Sequence, residues 1–65
     1  MYNIYLLEDP KQMLQSADEN GIPTLTIYDT LAARFETQDE AEAVILTLTP
    51  SGDQFWGTHP VRRPK

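Results

Sequence analysis

Apolar and polar positions along the chain change period several times, and each change marks an element. Tyr2-Asn3-Ile4-Tyr5-Leu6-Leu7 is β-rich and apolar on both faces, which predicts a strand at a central position of a sheet. The run stops at Glu8-Asp9-Pro10. Asp9 as N-cap with Pro10 as first helical residue predicts a helix next, because the N–H that proline lacks would be unpaired there anyway. Pro10, Met13, Leu14 and Ala17 recur at helical spacing as its buried face, and Asn20-Gly21 ends it, with Gly21 as the left-handed residue. Residues 24–28 alternate with Leu25 and Ile27 on one face, and Leu31, Ala33 and Phe35 repeat the alternation. A hairpin of strands 24–28 and 31–35 across Asp29-Thr30 is expected.

The second helix has the sharpest start signal. Thr37 and Glu40 stand in capping-box positions: the threonine hydroxyl can accept from the Glu40 N–H, and the carboxylate can reach back. Asp39 and Glu40 lie in the first turn, where the positive end of the helix dipole favours them. At about 100° per residue, Ala41, Val44, Ile45 and Leu48 share one face, while Asp39, Glu40, Glu42 and Leu46 lie on the other. Residues 44–49 also alternate with β-branched positions, as a strand entering the Pro50-Ser51-Gly52-Asp53 turn would. The cap and Ala41-Glu42-Ala43 favour a helix over 38–48. A last strand over 54–59 follows, its end placed at a sheet edge by Pro60.

These elements run β-α-β-β-α-β, an α+β fold with a small, mostly antiparallel sheet of three to four strands and two short helices on one face. That order is the one of a split β-α-β unit of ferredoxin-like topology. Residues 1–61 form a single compact domain in this reading, and residues 62–65 a basic flexible tail. Sixty-five residues are near the lower end of what folds unaided, and without cysteine neither a disulfide nor a thiolate metal site can staple them. No apolar run approaches the ~20 residues that span a bilayer, so a cytoplasmic, monomeric protein is expected.

Charge changes the picture most. Residues 1–61 hold ten acids against two bases, Lys11 and Arg34, a formal −8, and the last four residues return three positive charges. Such a body repels phosphate backbones and suits a basic protein groove, which argues against direct nucleic-acid binding. Catalytic signals are missing. His59 is the only histidine and has no cysteine partner for a metal, Ser16 and Ser51 stand outside any nucleophile-elbow context, and three scattered glycines build no phosphate loop. Asp39, Glu40 and Glu42 lack the spacing and central glycine of a calcium loop. No enzyme, cofactor or metal is therefore expected. Phe55 and Trp56 are neighbours on a strand and point to opposite faces, so an aromatic rimmed by acids is available as an interface anchor. The candidate partner-binding residues are Glu36, Asp39, Glu40, Glu42, Leu46 and Trp56.

In its size, acidic body, lack of cysteine, compact αβ layout and aromatic within reach of acids, the chain resembles the small acidic phage proteins that inhibit host defence, the anti-CRISPR proteins. That resemblance implies stoichiometric inhibition: an acidic face, acting as a DNA mimic, would occupy the lysine- and arginine-lined site where a CRISPR interference complex engages DNA. The alternative of a different class is a structural or regulatory interaction module whose partner needs an apolar patch more than charge. Steep weakening of a complex with salt marks the first, and near indifference marks the second.

Overall fold

The computed structural model describes residues 1–61; the tail expected at 62–65 lies outside the described residues. Strands β1 (Tyr2–Leu6), β2 (Met13–Ala17) and β3 (Pro23–Thr26) precede one helix, α1 (Gln38–Ile45), and strand β4 (Trp56–Pro60) follows it. The sheet order is β3-β2-β1-β4 and all neighbouring strands are antiparallel. The fold is α+β with a four-stranded antiparallel sheet, and β1 is central as its two apolar faces require. No helix among the described residues is long and apolar enough to cross a membrane.

The expected first helix is instead β2, and the split β-α-β order falls with it. Asp9 and Pro10 do form a start signal, but for a turn: the Gln12 N–H donates to the Asp9 carbonyl at 2.9 Å, closing a β-turn with Asp at its first position and Pro at its second. The Asp9 carboxylate also accepts from the Lys11 N–H at 3.4 Å and the Gln12 side-chain amide at 3.1 Å. The chain folds straight back on β1, with Tyr5 opposite Met13. Pro10 and Ala17, half of the predicted helical face, are exposed, and Leu14 alone of the four is fully buried. A central strand needs partners on both edges, and a hairpin is the shortest way to supply one.

Asp18 organises the next turn, its carboxylate accepting from the N–H groups of Asn20 and Ile22 at 2.8 and 2.9 Å. Gly21 does take a positive φ, 78°, inside this β2–β3 loop rather than at a helix end. It is buried because the segment after α1 lies against it: the Thr49 N–H donates to the Gly21 carbonyl at 2.9 Å, and a methyl group on Gly21 would run into the Thr47 carbonyl.

The expected strand at 31–35 does not pair with 24–28. Beyond Tyr5 and Met13, β1 and β2 splay, and residues 33–35 fill the gap. Phe35 exchanges two backbone bonds with Tyr2, at 2.7 and 2.8 Å, and the Ala33 N–H donates to Leu14 at 2.8 Å. Residues 27–32 are a pair of overlapping turns instead, so Ile27 leaves the strand and points to solvent.

The helix starts where its cap predicts, with the Thr37 hydroxyl accepting from the Glu40 N–H at 3.2 Å. It ends at Ile45, three residues early. The N–H groups of Thr47 and Leu48 bond three residues back, to Val44 and Ile45, and this tighter turn ends the helix with Leu48 still in the core. One face of the sheet packs on α1, giving a core of Ile4, Leu14, Ala41, Ile45, Leu48 and Trp56. On the opposite face, Tyr5 covers Gly57 across the β1–β4 pair, where any side chain at residue 57 would meet its ring. Asn3 is buried there, its amide nitrogen 3.4 Å from the Met13 sulfur and its Oδ1 without a protein hydrogen-bond partner.

Two stability predictions follow from these contacts. Thr37→Ala should cost ~1 kcal/mol, as loss of an N-cap does, read as a shift of the denaturant midpoint at constant slope. Gly21→Ala should destabilise clearly more than Gly52→Ala. Both glycines have positive φ, which costs an alanine about 1–2 kcal/mol, but Gly52 (φ 103°) faces open space and Gly21 faces the Thr47 carbonyl. Equal losses would show that the β2–β3 loop is not clamped to the end of α1.

Candidate functional site

Helix α1 divides its charge from its apolar side cleanly. Ala41 and Ile45 are buried against β1 and β4, and Asp39, Glu40 and Glu42 are exposed, with exposed Glu36 just before the cap. Asp39 and Glu40 sit in the first turn, where the unpaired N–H groups stabilise negative charge and keep it outside the core. Asp39, Glu42 and Leu46 form one line along the helix at three- and four-residue steps. Leu46, at the C-terminal cap, is 71% exposed, the most exposed of the large apolar side chains among the described residues. Five of the six sequence-predicted residues thus share one surface around α1.

Trp56 is the sixth, and it is corrected. It is 2% exposed, and its indole N–H donates to the Pro50 carbonyl at 2.6 Å. The strand expected over 54–59 begins only at Trp56, and Phe55, in the turn before it and 42% exposed, is the aromatic that looks outward. Trp56 forms part of the wall of a groove rather than an anchor that could enter a partner.

That groove, about 490 Å³, lies between α1, the 52–53 turn and β4. Glu42, Ile45 and Leu46 line it from the helix, Gly52 and Asp53 from the turn, and Trp56, Gly57 and Thr58 from the strand, with Tyr5 and Leu7 completing it. Sequence reasoning missed Asp53, although its position in the Pro50-Ser51-Gly52-Asp53 turn, directly before Phe55-Trp56, was the available signal. It also missed Ile27, Tyr28 and Leu31, which the two turns after β3 leave 64%, 62% and 53% exposed. Their alternation read as a hairpin, and nothing local distinguishes a strand from a loop that presents its apolar side chains.

His59 hydrogen-bonds no carboxylate or hydroxyl among the described residues. Its Nδ1–H donates to its neighbour Pro60's carbonyl at 2.8 Å and its ring lies 5.9 Å from that of Tyr5, at 47°. No group of three or more His, Asp or Glu residues that could hold a metal ion occurs among the described residues. No protein-family model matches the chain, and neither does any curated protein or solved structure. The chemistry of the face therefore has to be read from its own geometry: it presents hydrogen-bond acceptors, negative charge and one leucine.

The burial of Trp56 gives a direct check. As the only tryptophan, it should emit at short wavelength in the folded protein and resist acrylamide quenching, both lost on unfolding. Quenching as efficient as that of free indole would return Trp56 to the surface.

Proposed function

We propose that this chain is a stoichiometric protein inhibitor that binds a basic, nucleic-acid-binding protein surface through the acidic face of α1. The observation that carries the proposal is the exposed line of Asp39, Glu42 and Leu46, flanked by Glu36 and Glu40. A coat that served only to repel other molecules has no use for an exposed leucine in line with its acids, whereas an interface does. Negative charge on an outward helix face complements a surface of lysines and arginines built for phosphates, and so acts there as a mimic of DNA. A partner of that kind, which the resemblance to anti-CRISPR proteins implies, is a DNA-binding subunit of a CRISPR interference complex. In this reading the chain performs no catalysis and needs no cofactor.

A second reading is favoured by Ile27, Tyr28 and Leu31. Three large apolar side chains on one exposed loop suit a regulatory or structural module held by an apolar partner surface.

The two readings separate in a binding experiment with a reconstituted interference complex and target DNA as competitor. The acidic-face reading expects inhibition that competes with DNA and weakens steeply with salt. Reversing Glu36, Asp39 and Glu42 together to lysine should leave the fold intact and abolish binding, since juxtaposed like charges cost several kcal/mol. Leu46→Ala should weaken the complex with its salt dependence unchanged. Binding by the triple variant equal to that of the parent would leave the acids as a solubility coat, and loss of binding only on replacing Tyr28 and Leu31 would support the module.

A further inference from the structure

We infer that the groove between α1 and β4 receives an arginine side chain of the partner, its aliphatic stem on the apolar wall and its guanidinium among the groove's acceptors. This rests on the reading of a basic partner and assigns the group that such a partner inserts. The walls have two characters. Leu7 and Leu46 supply exposed apolar surface, with buried Ile45 and Trp56 behind them, while Glu42 on the helix and Asp53 on the turn supply carboxylates. Among the described residues, no lysine, arginine or histidine lines the groove.

Backbone geometry adds a further acceptor. β4 is an edge strand, paired only with β1. The Leu7 N–H donates to the Phe55 carbonyl and the Val61 N–H to the Met1 carbonyl, so odd-numbered residues of β4 turn their backbone groups toward β1. By alternation, the Thr58 carbonyl faces the free edge, beside the groove. The rest of that edge is closed to an added strand. Trp56 is buried, Pro60 has no N–H, and the Pro60 carbonyl already accepts from His59. A single side chain rather than a paired strand is thus the fitting occupant.

Between the two cationic side chains, arginine fits better than lysine. Its planar head offers five donors, enough to serve two carboxylates and a carbonyl together, and it is less strongly hydrated, so an apolar wall costs it less. A second copy of this chain, with ten acids against five bases, is repelled on balance by Glu42 and Asp53, and a phosphate-bearing partner is repelled by them outright.

The test uses N-acetylarginine amide and its uncharged counterpart of the same shape, N-acetylcitrulline amide, titrated into the protein and followed by amide chemical shifts. The arginine probe should move Leu46, Asp53 and Thr58 and bind about tenfold or more tightly than the citrulline probe, the difference made by hydrogen bonds to a charged group. Glu42→Gln with Asp53→Asn, both exposed positions, should bring the arginine probe down to the citrulline level. Glu19→Gln with Asp29→Asn, which removes the same charge away from the groove, should not. Equal binding of the two probes, or shifts confined to Glu36 and Asp39, would overturn the assignment. So would concentration-dependent shifts of the groove without any probe, which would mark a second copy as its occupant. If the arginine probe misses the groove while a basic partner still binds in a salt-sensitive way, the groove assignment fails and the acidic-face reading stands. Arginine entering the groove of a protein that binds no basic partner would be the reverse.

Discussion

A buried indole must hydrogen-bond its N–H, and the donation from Trp56 to the Pro50 carbonyl at 2.6 Å ties together the parts of this chain that follow the helix. The carbonyl is reachable only if the 50–55 segment curls back over the ring. That curl delivers Trp56 to the end of β1 opposite Leu6, and β4 then runs antiparallel to β1 through to Pro60. The helix closes over the same ring from the other side, with Ile45 and Leu48 in contact with the core that Trp56 shares with Ile4 and Leu14. Without a satisfied indole, an unpaired donor would remain in the middle of a core of six residues.

So small a core leaves little margin, and the structure reinforces it at the margins of its elements. The clamp from Thr49 to the β2–β3 loop joins the end of α1 to the far hairpin through hydrogen bonds to Gly21 and Asn20. Gly21 permits that approach through its positive φ and its missing side chain together. The wedge of residues 33–35 closes the gap where β1 and β2 separate, so that both backbone groups of Tyr2 find their partner in Phe35. Gly57 and Tyr5 make a similar exchange, ring for missing side chain, on the face away from the helix.

The same helix that completes the core carries the face proposed to bind. Its buried positions, Ala41 and Ile45, are small and aliphatic, so its outer positions are free to hold acids without any energetic conflict inside. The N-terminal dipole favours Asp39 and Glu40 locally, but it has no bearing on Glu42 or on Leu46, which lie further along. Glu42 and Leu46 are also the two residues shared by the acidic face and the groove, so one partner can engage both at once.

What could be read along the chain was the chemistry of single turns and caps. Thr37 and Glu40 announce the start of α1 because a cap is satisfied within four residues, and β1 announces its central place because both its faces are apolar. The acidic body followed from composition, and the outward Asp39, Glu40, Glu42 and Leu46 from helical spacing. Asp9-Pro10 was legible only as a start, since the same pair opens a helix or a β-turn, and the choice lay with β1's need for an edge partner. The helix stopped at Ile45, and Thr49 reached Gly21, a contact that no local pattern contains. Phe55 and Trp56 are equivalent in the alternating pattern. Which one turned inward was decided by the carbonyl of Pro50, brought to the indole by the fold.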